Sequence, residues 1–124
     1  HITERGAFFG YGNLVVDMRS FQVVRGSCGV PVIFDGTHSV QRPGRAKGSS
    51  GGDPEHIPSL VRAAVAAGCD HLFLETHPEP EAALSDGSNV LPLEDLDSLM
   101  MDVLAVREAL GADVEVPLDG EVIQ

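Results

Sequence analysis

The sequence predicts an α/β protein built on a parallel sheet, and three observations carry that expectation. The run Val32-Ile33-Phe34-Asp35-Gly36-Thr37-His38 is apolar for three residues and then ends in a carboxylate and an imidazole within one turn. Leu72-Phe73-Leu74-Glu75-Thr76-His77 repeats the pattern later in the chain. Between them Ile57, Leu60, Val61, Ala64 and Val65 recur as one apolar stripe of a helix. Short apolar runs that do not alternate with polar residues read as strands buried on both faces, which a parallel sheet requires. Two such strands joined by a helix make a right-handed βαβ unit. Parallel α/β proteins place their chemistry at the carboxyl ends of the strands, so the two strand ends are expected to share a site.

Taken in order, Thr3-Glu4-Arg5-Gly6 reads as the end of a strand that begins upstream. With His rather than Met at position 1, the chain is expected to be a piece of a longer one. Leu14, Met18 and Phe21 recur at near-helical spacing, which predicts a helix over residues 13–25 capped by Asn13 and ended by Gly26-Ser27-Cys28-Gly29. Val30 to Asp35 is the first complete strand. His38 to Asp53 is rich in glycine and lacks apolar periodicity, and so long a connection in a compact domain reads as a functional loop. Pro54 suits the first position of the second helix, after an Asp53 cap, and Gly68 closes it. His71 to Glu75 is the second strand. Pro78, Pro80, Asp86-Gly87 and Pro92 mark another long loop, with one helical turn at Glu81–Leu84. Leu93, Leu96, Leu99, Met100, Val103, Val106 and Leu110 predict a third helix, stopped by Gly111. The expected division is residues 1–111 as a folded α/β portion and 112–124 as an acidic tail. Two and a half parallel strands cannot close a core, and a (β/α)8 barrel of about 250 residues would need roughly five more βα units.

Composition narrows the function. At 124 residues and 43% hydrophobic, the chain is one small domain at most. No apolar run approaches the roughly 20 residues of a membrane span, so a soluble, cytoplasmic protein is expected. The formal net charge is −11, and residues 75–124 hold 13 acids against one base, Arg107. That acidity argues against nucleic acid and anionic membranes as partners. The bases lie in the first half, where Arg5, Arg42, Arg45 and Lys47 are placed to meet an anionic small molecule. Cys28 and Cys69 lack metal-type spacing and read as free thiols in a reducing compartment.

His38, Glu75 and Asp86 form the sharpest constellation. An imidazole with two carboxylates suits a borderline divalent ion such as iron, manganese or zinc. The plainer alternative is a strand-end histidine with two solvated acids. Asp35, one residue past its apolar run, has the alternative of orienting a neighbouring side chain. His77 is a candidate fourth ligand or general acid, with a structural role as its alternative, while His56 and His71 are assigned to the surface and a strand start. Arg5 is suited to gripping a phosphate or carboxylate bidentately, or else to a surface ion pair. The loop Gln41 to Gly52 mixes Arg42, Arg45 and Lys47 with glycines, which fits a lid over an anionic substrate or a solvated loop. It lacks the spacing of a nucleotide-binding P-loop, and no organic cofactor is expected.

At these residues a resemblance becomes specific. Arg5 to Met18, Pro31-Val32-Ile33-Phe34-Asp35-Gly36-Thr37-His38-Ser39-Val40-Gln41, Ser50-Gly51-Gly52, Leu72 to Pro80, and Leu84-Ser85-Asp86-Gly87 with Leu91-Pro92-Leu93 closely resemble the 3-deoxy-D-manno-octulosonate 8-phosphate synthase family. The likeness runs in unbroken order over residues 2–110. It implies a (β/α)8 barrel of which this chain is the last three βα units, usually assembled as a homotetramer. It implies condensation of phosphoenolpyruvate with arabinose 5-phosphate, a step towards lipopolysaccharide in Gram-negative bacteria. By the same resemblance Arg5 contacts the phosphoenolpyruvate phosphate, with Gln41 and Asp35 also assigned to substrate binding. His38, Glu75 and Asp86 match three of four metal positions and are the catalytic candidates. The fourth position is a cysteine near the family's N-terminus, an asparagine in metal-independent members, which this chain does not reach. Ser85-Asp86-Gly87-Ser88 is similar to the metal-dependent subgroup, whereas metal-independent members tend to read Cys-Asp-Gly-Pro. Rival readings are a related phosphoenolpyruvate aldol synthase of the heptulosonate phosphate or sialic acid type, and a non-catalytic partial barrel.

Overall fold

The computed structural model of the chain describes residues 1–8, 12–43, 51–83, 87 and 89–111. In chain order these form β1 (Ile2–Glu4), a hairpin of β2 (Ala7–Phe8) and β3 (Leu14–Val15), and α1 (Ser20–Cys28). Then come β4 (Val32–Asp35), a short ladder of β5 (Gln41–Arg42) and β6 (Gly51–Gly52), and α2 (Ile57–Ala66). β7 (His71–Phe73), β8 (Thr76–His77), β9 (Leu91–Pro92) and α3 (Leu93–Ala109) complete the described elements. β1, β4 and β7 build a parallel sheet in that order, with Ile2 opposite Val32 and Phe34 opposite Leu72. The predicted βαβ unit is therefore β4-α2-β7. The strand expected to precede Arg5 is β1.

Alternation along a strand sends successive side chains to opposite faces. On one face Val32 and Phe34 are fully buried in a cluster with Phe21 of α1, with Ile57, Val61 and Ala64 of α2, and with Leu99 and Val103 of α3. Phe21 and Phe34 meet edge to face, their centroids 6.0 Å apart at 88°. The other face is more open. Ile33 is half-buried and Phe73 is 44% exposed, because among the described residues no layer covers that side. The expectation of strands buried on both faces holds for the helix-covered face alone. No described helix is long and apolar enough to cross a membrane.

The first helix starts later than its apolar spacing predicts. Leu14 and Val15 are instead taken by the hairpin, opposite Phe8 and Ala7. Gly12 lies in the bend just before β3 at φ 85°, a left-handed value that glycine adopts without steric penalty. Asp17, not Asn13, then organises the helix start. Its carboxylate accepts the Arg19 N–H at 3.0 Å and grips the Arg19 guanidinium at 2.7 Å, while its carbonyl accepts the Ser20 N–H at 2.8 Å. The guanidinium and backbone N–H of Arg19 lower the Asp17 carboxyl to about 2. Gly29, at φ 65°, ends α1, whereas Gly26 lies inside it.

The second helix also departs from its predicted cap. The Asp53 carboxylate is engaged by Arg42, with Nε–Oδ2 and Nη2–Oδ1 both 2.5 Å, and makes no cap bond. Pro54–His56 winds as a 3-10 turn that leads into α2 at Ile57. The third helix buries Leu99 and Val103 and packs Leu96, Met100 and Val106 on the core, while Leu93 and Leu110, expected in the same stripe, are exposed at its two ends; Gly111 follows at φ 65°.

At the amino ends of the strands, Arg25 reaches across from α1 to the Asp70 carboxylate at 2.7 Å, which also accepts the Val32 N–H at 2.7 Å. Burial pushes the Asp70 carboxyl up, but the Val32 N–H and the guanidinium outweigh it and hold the group below its usual range. Both cysteines are free thiols. Burial pushes Cys69 up to about 11, so it stays protonated and is no thiolate ligand or nucleophile near neutral pH.

Candidate functional site

β4 and β7 are neighbours in the sheet, so whatever follows their carboxyl ends lies side by side. Asp35 is the last residue of β4 and is buried. The chain then turns sharply at Gly36, whose N–H donates to the Phe73 carbonyl at 3.0 Å. A Cβ at Gly36 would lie 2.8 Å from Leu74 Cδ2 and 3.1 Å from Val61 Cγ2, so the turn presses directly onto β7's exit and α2. Residues His38–Val40 follow as a 3-10 turn.

Within that turn Asp35 holds His38 twice. One carboxylate oxygen accepts the His38 backbone N–H at 2.9 Å, and the other lies 2.8 Å from Nδ1. With Nδ1 protonated, Nε2 is a bare lone pair, the arrangement a carboxylate imposes on a metal-ligating imidazole. Nε2 faces Glu75 Oε1 at 3.6 Å. The Phe73 ring lies over the imidazole, centroids 6.0 Å apart and planes 21° from parallel. An oriented histidine and a carboxylate from adjacent strand ends are thus brought together. Asp86, their predicted companion, lies outside the described residues. Among the described residues no group of three or more His, Cys, Asp or Glu side chains forms a metal-type cluster.

Arg5, just beyond β1, donates from Nη2 to Gln41 Oε1 at 2.7 Å, so those two candidates meet each other. Glu4 turns away from Arg5, its carboxylate accepting the Gly6 N–H at 2.5 Å. Arg42, expected among the cations facing an anion, is occupied by Asp53. Arg45 and Lys47 lie outside the described residues. His77 Nδ1 accepts the Glu79 N–H at 2.9 Å, the structural duty weighed for it. A cavity of about 580 Å³ lined by Arg25, Cys69, Asp70, His71 and Arg107 opens at the opposite, amino end of the sheet. Its Arg25 is already paired with Asp70, and it contains none of the residues singled out for chemistry.

A model of the DAHP synthetase I family matches residues 1–110. The chain belongs to that family. Among curated relatives it is 56% identical over 108 residues to a 2-dehydro-3-deoxyphosphooctonate aldolase of Desulfosudis oleivorans, covering 87% of this chain and 39% of that one. It is 60% identical over 105 residues to the enzyme so named in Pelobacter propionicus, covering 85% and 38%. Over 113 residues it is 59% identical to that of Stenotrophomonas maltophilia, covering 89% and 41%. The chain therefore spans about two fifths of the length of these relatives. Among solved structures it is similar to phospho-2-dehydro-3-deoxyheptonate aldolase of Thermotoga maritima, at 30% identity and TM-score 0.69, covering 88% of this chain and 29% of that one. A truncated form of 3-deoxy-D-arabino-heptulosonate 7-phosphate synthase from that organism gives TM-score 0.70 at 30% identity, covering 88% and 38%. The fold is thus a portion of a (β/α)8 barrel, and the open face of the sheet is the one that lines the interior of such a barrel.

Two residues of the site escaped the sequence reading. Thr37 and Asn89 are both fully buried, a rare state for polar side chains. The signal for Thr37 was its place inside the Asp-Gly-Thr-His turn; Asn89 had none. A Cβ on Gly52 would collide with Asn89 Oδ1 and lie 3.1 Å from the Val40 carbonyl. Glycine at position 52 is what lets the β5–β6 ladder close over Asn89. Gly52→Ala in the full-length polypeptide is expected to displace Asn89 and cost about 1–3 kcal/mol as an overpacking substitution. Denaturant unfolding reads this as a lowered midpoint, and a midpoint equal to wild type would contradict the packing described.

Proposed function

We propose that the polypeptide containing this segment condenses phosphoenolpyruvate with arabinose 5-phosphate and water, giving 3-deoxy-D-manno-octulosonate 8-phosphate and inorganic phosphate. The observation that carries this reading is the 53–60% identity to proteins named 2-dehydro-3-deoxyphosphooctonate aldolase, over a stretch that includes Asp35, His38 and Glu75. Because the segment is part of a barrel, activity requires the barrel units it lacks. The proposal brings with it a cytoplasmic homotetramer serving lipopolysaccharide precursor synthesis.

In this reaction the enol carbon of phosphoenolpyruvate attacks an aldehyde while water adds to the adjacent carbon. Both substrates are anions held in one cleft, so positioning them supplies a large part of the rate. Arg5 is proposed to bind the phosphoenolpyruvate phosphate, with Gln41 holding the guanidinium at the angle a bidentate grip needs. The glycine-rich loop between Gln41 and Gly52 is proposed to close over the anions and exclude bulk water.

His38, Glu75 and Asp86 are proposed to hold a divalent iron, manganese or zinc ion. The donor chemistry fits: Asp35 fixes the His38 ring with Nε2 turned to the Glu75 carboxylate. Such an ion would supply Lewis-acid polarisation of the aldehyde or activation of the water. On this reading Asp35 acts through His38 rather than on substrate.

Two solved structures similar to this chain are heptulosonate phosphate synthases, which favours a second reading with erythrose 4-phosphate as the aldehyde. Assay of the full-length polypeptide with phosphoenolpyruvate and each aldose phosphate decides between them. The proposal expects kcat/KM at least about 100-fold higher with arabinose 5-phosphate, a gap of about 2.7 kcal/mol in transition-state binding. Preference for erythrose 4-phosphate would overturn it, and turnover by residues 1–124 alone would overturn the requirement for the missing units.

A further inference from the structure

Glu75 lies between β7 and β8, outside both strands, and its backbone is held at both ends. Its N–H donates to the Thr37 hydroxyl oxygen at 2.7 Å, and its carbonyl accepts the Leu91 N–H at 3.1 Å. Thr37 is fully buried, one residue before His38, and its own backbone is helical at φ −71°, ψ −53°. The hydroxyl of Thr37 therefore joins the turn that carries His38 to the segment that carries Glu75. Asp35 orients the imidazole within its own turn, through its two bonds to His38.

We infer that Thr37 is a positioning residue, a hydroxyl clamp that sets the distance between the His38 imidazole and the Glu75 carboxylate. The inference rests on the metal reading above for its function, though not for its geometry. A β-branched residue suits the task, since few χ1 rotamers are open to it. Valine preserves the shape and removes the acceptor, so Thr37→Val takes from the part-buried Glu75 N–H the oxygen it donates to. Thr37→Ser keeps the oxygen.

The test uses the full-length polypeptide with Mn²⁺ as the probe, in three forms: wild type, Thr37→Val and Thr37→Ser. Outer partners of metal ligands are typically worth 10–100-fold in affinity, so Thr37→Val is expected to weaken Mn²⁺ binding by about that factor. Thr37→Ser should bind within about threefold of wild type, as expected if the oxygen carries the effect. Amide hydrogen exchange gives a second reading without metal: the Glu75 N–H should exchange about tenfold faster in Thr37→Val, as loss of one hydrogen bond predicts. Affinity and Glu75 exchange both at wild-type values would overturn the clamp, even if Thr37→Val lowered the melting temperature. A serine variant that behaves like valine would overturn it too. If Thr37→Val fails to fold, Thr37→Ala is read in its place. If wild type binds no Mn²⁺, the metal reading falls, and the clamp is decided by Glu75 exchange alone.

Discussion

His38→Ala in the full-length polypeptide is expected to remove metal binding and activity together, lowering kcat/KM by about 10³-fold or more. The size follows from the several kcal/mol of charge stabilisation a bound ion supplies, at tenfold per 1.36 kcal/mol. Three residues of the candidate site converge on His38. Asp35 binds its backbone and its Nδ1, Phe73 covers its ring, and Glu75 faces its Nε2. Alanine removes the donor and leaves the Asp35 carboxylate buried with one of its two partners. Metal content measured on purified variant, beside turnover in chelated buffer, checks both halves of the expectation. Activity retained in metal-free buffer would show that His38 is no ligand.

Phe34→Ala is expected to be the most damaging change to the fold, costing about 3–5 kcal/mol through lost burial and the cavity left behind. Phe34 is fully buried at the centre of the sheet, and its edge-to-face contact with Phe21 is worth about 0.5–1.5 kcal/mol beyond area alone. It also lies directly before Asp35, so the site is built on the strand that this side chain anchors. Phe34→Leu, which refills much of the space, should cost less than half as much. Chemical denaturation of the two variants gives the comparison, and a Phe34→Ala penalty below about 1 kcal/mol would mean the core lies elsewhere.

Elements whose pattern was set by burial against a neighbour in sequence were legible from the residues. The stripe of α2 and the middle of that of α3, Leu96 to Val106, face the core, and β4 and β7 fall inside the runs that predicted them. The first helix was not, because Leu14, Met18 and Phe21 lie at helical spacing by coincidence while Leu14 and Val15 are claimed by a hairpin to Ala7 and Phe8. Local periodicity does not report such a competing partner. Asp53 misled in the same way: a good capping residue by type, it is taken by Arg42 from across the loop. In the site, Asp35, His38 and Glu75 could be found because ligand-type residues stood at the ends of adjacent parallel strands. Thr37 acts on the backbone N–H of Glu75 and Asn89 fills the space against Gly52, tertiary relations that residue spacing does not report.

On the proposed reading His38 and Glu75, with Asp86, share one ion at the carboxyl ends of β4 and β7. A crystal of the full-length polypeptide grown with Mn²⁺, with anomalous scattering recorded at the manganese edge, tests it most directly. One strong peak is expected about 2.0–2.3 Å from His38 Nε2 and from carboxylate oxygens of Glu75 and Asp86, with Asp35 still on Nδ1. A peak elsewhere, or an Asp86 side chain directed away from the other two, would contradict it.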